Sequence, residues 1–201
     1  MILDFTRDTL LGLSGAGIPL FLLEAIDIVI IALALGFIFK DFFRKPAPAE
    51  YDPLAHHNSK GNFKFAMAVT APAVVLHELG HKIVAMAFGI QSQLYASYGF
   101  LLLGIMLRLM GSPFLFFVPG FVSHAPSTPA VGILISLAGP FVNLCLWLGS
   151  SALLKYTKIP HKFRQILIPT AKINMFLFIF NMIPIPPFDG AALWNLFALF
   201  S

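Results

Sequence analysis

Charged residues are scarce in this 201-residue chain, and their scarcity limits the class of protein. They make up 11% of the sequence, whereas hydrophobic residues make up 58% and the mean hydropathy is +0.86. A soluble domain typically has about a quarter charged residues. A water-soluble protein of this composition would have to bury more apolar surface than its size allows. The composition therefore excludes an ordinary soluble domain and predicts an integral membrane protein.

Cysteine is nearly absent as well, which excludes a disulfide framework within the chain. The single Cys145 lies in an apolar run, 131–149, and we expect it to be a small core residue. We also expect no cleaved signal peptide, because Asp4 and Asp8 flank Arg7 and no small-residue cleavage site follows. The formal net charge is +4. Its basic residues cluster between apolar runs, which is typical of membrane orientation signals and does not indicate nucleic-acid binding.

Long apolar runs predict the architecture, an all-α polytopic membrane protein. Four runs are long enough to cross a hydrocarbon layer of about 30 Å at 1.5 Å per residue. These are residues 18–39, 63–88, 130–154 and 166–185. We expect an N-terminal span followed by further spanning helices, in a multi-pass protein of the cell membrane.

One further apolar run, 98–118, is interrupted by Arg108, Gly111 and Pro113. Such breaks favour a re-entrant or hairpin segment lining a cavity over another crossing. The turn-rich stretch from 119 to 129 is expected to form a short hairpin or loop. The last residues, 191–201, are predicted to form a helix too short to span.

Two basic loops, 40–64 and 155–164, are expected on the cytoplasmic side of the membrane. Residues 1–16 are weakly amphipathic, as expected of a segment at the membrane surface. We divide the chain into residues 1–62, which hold the N-terminal segment, the first span and its basic cytoplasmic loop, and residues 63–201, the core.

Four polar residues of the N-terminal part are not assigned to the site. Glu24 and Asp27 share one face of the first span, and we expect them to lie near a membrane interface. His56 and His57 are adjacent in a polar loop, where such pairs usually face solvent. All four are read as structural or solvated residues.

The sequence His77-Glu78-Leu79-Gly80-His81 lies within the second predicted span. Histidines four residues apart project from one helix face, where both imidazoles can bind one Zn²⁺. Glu78 can then take a proton from a zinc-activated water and pass one to the leaving amine. The pattern alone is common, but such polar groups inside a membrane helix are unfavourable unless they pair or bind metal.

A catalytic zinc needs a third protein ligand, and the sequence offers few candidates. Beyond Glu78 the chain contains a single acidic residue, Asp189, and its later histidines, His124 and His161, lie in predicted loops. Asp189 follows a break rich in proline. We therefore predict that His77, His81 and Asp189 are the zinc ligands.

Two motifs in this order resemble the site-2 protease family of intramembrane zinc metalloproteases. HELGH matches the family's HExxH, and Asn181 to Gly190 matches its NxxPxPxxDG. The resemblance extends over about 63–194 and implies hydrolysis of peptide bonds in or near transmembrane segments of substrate proteins, often in regulated intramembrane proteolysis. It implies a three-helix catalytic core behind the N-terminal span. In this core His77, His81 and Asp189 would hold zinc within the bilayer, with Glu78 as the catalytic base.

The resemblance also assigns smaller roles. Asn181 matches a residue near the catalytic centre that binds the substrate backbone or an oxyanion, although a helix–helix hydrogen bond explains it equally well. Asn143 lies in a stretch resembling AGPxxN, and we interpret both it and Asn174 as structural. Gly139-Pro140 is expected to permit a kink or a close helix contact.

Two other functions fit the sequence less well than a protease does. A catalytically silent member of the fold would usually have lost Glu78 or a ligand, and all four positions are filled. A metal transporter needs several weak sites along a path, whereas the spans contain one compact cluster. The run 98–122 is longer and more apolar than the strand-bearing loop that the family resemblance leads us to expect there.

Overall fold

A computed structural model describes residues 18–43, 59–112 and 118–199 of the protein. The described part is mostly helical, as predicted. Its elements are α1 Leu20–Phe39, α2 Ser59–Ala87, β1 Ser92–Ala96, α3 Tyr98–Leu109, β2 Gly120–His124, α4 Pro129–Tyr156, α5 His161–Asn181 and a final 3₁₀ helix, Asp189–Leu199.

Four of the described helices, α1, α2, α4 and α5, are long and apolar enough to cross a membrane. This confirms the predicted polytopic all-α class. The boundaries of α5 differ most from the prediction of 166–185. The helix begins at His161, directly after Pro160, and ends at Asn181, because Pro184 disfavours helical backbone at the residue before it.

The chain forms two compact units. The described residues of the first unit are 18–43, 59–72, 95–112 and 118–120. Within it α1 contacts α3. The Tyr98 hydroxyl donates a hydrogen bond of 2.8 Å to Asp27 Oδ1, and Arg108 forms a salt bridge with Asp41. Glu24 and Asp27 are both buried, so these carboxylates of the first span face protein groups.

The second unit comprises residues 73–94 and the described residues from 121 onward. Its α4 packs against both α5 and the 3₁₀ helix. The Thr128 side chain caps α4 by accepting a hydrogen bond from the Val131 N–H. A Cβ at Gly80 would lie 3.0 Å from the Ala138 carbonyl oxygen, so α2 and α4 approach closely where the HELGH sequence lies.

A two-stranded sheet was only partly foreseen. The strand β2 lies in the stretch where a hairpin or loop was expected, but it pairs with β1, which was not predicted. Hydrogen bonds of 3.1 Å from Ser97 N to Pro119 O and from Ala125 N to Gln91 O flank the pair and make it antiparallel. The intervening α3 has 12 residues, about 18 Å of helix, which is too short for a crossing.

One expectation is wrong. Cys145 is exposed on α4 because it lies two residues from the buried Asn143, which places it away from the buried face. Residues 1–16, His56 and His57, Pro113 and most of the 40–64 loop lie outside the described residues. The orientation of the basic loops and the functional boundary between residues 62 and 63 stay predictions.

Candidate metal centre

His77 and His81 lie on the same face of α2, as their spacing predicts. Each is only 7% exposed. The two Nε2 atoms are 3.1 Å apart, and the rings meet edge to face with their centroids 4.7 Å apart. The helix therefore presents two imidazole nitrogens to one point in the interior of the second unit.

Asp189 completes the group from the other end of the chain. Its Oδ2 lies 3.1 Å from His77 Nε2 and 3.4 Å from His81 Nε2. Ligands that bind a tetrahedral zinc ion at about 2.0–2.1 Å are separated from one another by about 3.3 Å. The three separations match this value, so these residues could hold a metal ion at their centre.

Both imidazoles are oriented through their other ring nitrogen. His77 Nδ1 is 2.6 Å from Asn143 Oδ1, and His81 Nδ1 is 2.7 Å from the Ile135 carbonyl oxygen. Both partners are acceptors, so each Nδ1 must carry the hydrogen and donate it. In the neutral rings the Nε2 lone pairs are then left facing each other and Asp189.

With both rings neutral, three electron-pair donors converge with no hydrogen between them. Asp189 Oδ2 is buried, and its polar neighbours there are the two Nε2 atoms. Buried lone pairs at about 3 Å repel one another unless a proton or a metal cation lies between them. Two neutral imidazoles and a carboxylate suit zinc, and three protein ligands leave a fourth position open.

Gly139 forms one wall of this space. A Cβ at this position would clash with His81 Nε2 and would lie 2.6 Å from His81 Cε1 and 2.8 Å from His77 Cε1. The glycine therefore lets the α4 backbone approach both imidazoles directly. The predicted close contact at Gly139 exists, and it is made with the two histidines.

Asp189 is held in place by a tightly packed turn after α5. A Cβ at Gly190 would lie 2.5 Å from the Met182 carbonyl oxygen, so only glycine fits there. The Trp194 indole donates a hydrogen bond of 2.6 Å to the Pro184 carbonyl oxygen, and the Phe188 ring packs on Phe180. These contacts fix the backbone on both sides of the carboxylate.

Glu78 is 7% exposed and close enough to interact electrostatically with His77, His81 and Asp189. The structure therefore brings all four predicted residues to one site. Asn181 is the last residue of α5 and is partly buried. Its two readings, substrate contact and helix–helix hydrogen bond, both stay predictions.

Two contacts of the site were missed by the sequence reasoning. Asn143 was interpreted as structural, yet it touches His77 as well as Asn174. Its spacing of four residues from Gly139 could have indicated a shared face. The contact made by the Ile135 carbonyl could not be predicted from the sequence, because every residue has a backbone carbonyl.

Two buried histidines and one half-buried aspartate, in a protein with four membrane-length helices, form a group that could hold a zinc ion. The chain is 34% identical over 179 residues to a "putative zinc metalloprotease" of Methanocaldococcus jannaschii, covering 87% of this chain and 85% of that protein. The chain therefore belongs to this family of zinc metalloproteases.

A second relative, a "putative zinc metalloprotease" of Synechocystis, is 33% identical over 118 residues. The match covers 59% of this chain and 27% of that longer protein. No family model and no solved structure matches the chain. The names of the two relatives agree with zinc as the cofactor.

Proposed function

We propose that this metalloprotease cleaves within the membrane, as a site-2 type protease that hydrolyses peptide bonds within or near transmembrane segments of substrate proteins. We place it in the cell membrane and in regulated intramembrane proteolysis. The observation that carries the proposal is the position of His77, His81 and Asp189, whose lone pairs converge inside a unit built from membrane-length helices.

The depth of the histidines supports cleavage inside the bilayer. His77 lies ten residues before the end of α2 at Ala87, which corresponds to about 15 Å of helix. The hydrocarbon layer is about 30 Å thick. A helix that crosses this layer therefore carries His77 near its middle, where a substrate would present its own membrane span.

In this proposal His77, His81 and Asp189 hold the metal, and zinc supplies a Lewis acid that polarises water and the scissile carbonyl. The Glu78 carboxylate accepts a proton from the attacking water as the new C–O bond forms. It then returns a proton to the nitrogen as the C–N bond breaks. One water is consumed, and the products are a carboxylate and an amine.

Substitution of Glu78 by Gln tests this assignment. The amide cannot accept the proton, so cleavage should fall by about 10²–10⁴-fold while bound zinc stays at one per chain. The assay uses the full chain in liposomes with a single-span substrate, and metal analysis of the same preparation. A soluble unfolded polypeptide serves as the substrate control.

The matched variant Glu24→Gln makes the same change at a buried position of the first unit and should keep zinc and cleavage. Normal cleavage by Glu78→Gln would contradict the proposed role of Glu78. Failure of the zinc-loaded wild-type protein to cleave any membrane span, while it cleaves the soluble polypeptide, would contradict intramembrane cleavage.

A further inference from the structure

Both polar atoms of the Asn143 side chain are hydrogen-bonded, at the point where α2, α4 and α5 meet. Its side chain is fully buried. Oδ1 accepts a hydrogen bond from His77 Nδ1 at 2.6 Å, and Nδ2 donates to the Ala73 carbonyl oxygen at 3.1 Å and to Asn174 Oδ1 at 2.8 Å. A buried amide with three partners of fixed type has one orientation only.

The orientation of Asn143 is itself determined by Asn174. The side chain of Asn174 is also fully buried, and its Nδ2 donates a hydrogen bond of 2.8 Å to the Thr170 carbonyl oxygen. This leaves Asn174 Oδ1 as an acceptor, which Asn143 must meet with its Nδ2. The donors therefore all point the same way, from His77 through Asn143 and Asn174 to the Thr170 carbonyl.

We infer that Asn143, oriented by Asn174, is a positioning residue that holds His77 with its hydrogen on Nδ1 and its Nε2 lone pair toward the metal. A histidine ligand is generally oriented by the partner of its second nitrogen, and loss of such a partner typically lowers metal affinity by 10–100-fold. The inference rests on zinc as the cofactor in the proposed function, and it concerns only how the chain holds that ion.

The alternative role for Asn143 is a simple tether between helices, acting through Nδ2. The two roles use different atoms of the amide and can be separated. Asn143→Leu removes both, whereas Asn143→Asp keeps an acceptor for His77 and removes the donor. The aspartate therefore keeps the contact with His77 and loses the hydrogen bonds that Nδ2 donates to Ala73 and Asn174.

Zinc affinity of the full chain in detergent, measured by competition with a chromophoric chelator, is the first readout. Asn143→Leu should bind zinc about 10–100-fold more weakly than wild type, and Asn143→Asp should recover most of the loss. The control Ser150→Ala alters another buried polar residue of α4 and should leave the affinity unchanged. Equal losses in the Leu and Asp variants would assign Asn143 to tethering and overturn the inference.

The second readout is proton exchange at His77, measured first in the wild-type protein. In the zinc-loaded wild-type protein labelled with ¹⁵N-histidine, the His77 Nδ1 proton should exchange slowly, with the metal on Nε2. In Asn143→Leu the same proton should exchange quickly. Metal on His77 Nδ1, or a rapidly exchanging proton in the wild type, would overturn the inference.

These outcomes are distinct from failure of the proposed function. A wild-type protein that binds no zinc would refute the metal centre itself. A protein that binds zinc but cleaves nothing would refute the protease assignment while the role of Asn143 could still be measured. Wild-type affinity in Asn143→Leu would refute the inference alone.

Discussion

The strongest steric prediction concerns Gly139, because a single methyl group at this position occupies the space of the imidazoles. In Gly139→Ala the new Cβ would lie 2.6 Å from His81 Cε1 and 2.8 Å from His77 Cε1. Carbon atoms in good contact are about 3.5–4.0 Å apart. One or both rings must therefore move by about 1 Å or more, or α4 must withdraw by the same distance.

A displacement of this size exceeds what a zinc site tolerates. Ligand distances must stay within about 0.2 Å of their ideal values. Loss of an outer partner alone typically lowers affinity by 10–100-fold. Displacement of a ligand should therefore weaken zinc binding by at least about 100-fold, which corresponds to about 3 kcal/mol.

A change in the stability of α4 would not explain this loss of zinc affinity. Alanine favours helix over glycine by about 1 kcal/mol, so Gly139→Ala should not unwind α4. Gly149→Ala is the matched control, since it lies in the same helix and a Cβ there has no atom within 4 Å. Both variants should show wild-type helix content by circular dichroism, and only Gly139→Ala should lose zinc in the chelator competition. Wild-type zinc affinity and cleavage in Gly139→Ala would refute the steric argument.

Three further predictions address the centre. Asp189→Asn keeps the size of the side chain but removes its charge. Zinc affinity, measured by chelator competition, should fall by more than the 10–100-fold expected for loss of an outer partner. Unchanged affinity would remove Asp189 from the ligand set. Gly190→Ala places a Cβ 2.5 Å from the Met182 carbonyl oxygen, so the turn must shift and zinc should be lost, unlike in Gly149→Ala. Removal of zinc with a chelator should abolish cleavage, and added zinc should restore it; cleavage by metal-free protein would contradict a metal-dependent reaction.

The sequence was sufficient to predict the features that follow from local residue spacing or from the lack of other candidate residues. The spacing of His77 and His81 dictates a shared helix face wherever the helix lies. Asp189 is the one acidic residue after Glu78, so its proximity to the histidines could be predicted across more than a hundred residues. Long apolar runs likewise predict spanning helices without knowledge of their packing.

Contacts that depend on how the helices pack could not be predicted in the same way. Gly139 was expected at a close helix contact, but the sequence does not show which side chains pack against it. Strand β1 is five residues long and is defined by its pairing with β2. Cys145 lies in an apolar run, and in a membrane protein such a residue can face lipid as readily as the core.

The packing of α2 on α4 explains why the missed contacts fall where they do. The α4 residues that meet the histidines are Ile135, Gly139 and Asn143. They are spaced by four, as His77 and His81 are on α2, so each helix contributes one row along its face.

Within the α4 row each position has a different task. The Ile135 carbonyl accepts from His81, the bare Cα of Gly139 leaves room for both rings, and the Asn143 amide accepts from His77. Pro140 follows Gly139 inside the helix and has no N–H to donate to the carbonyl four residues earlier. Rotating α4 by one residue, about 100°, would remove all three contacts at once. The geometry of the centre therefore depends on the register of two helices as much as on His77, His81 and Asp189, and a motif search that reads only HELGH and Asp189 misses the α4 row.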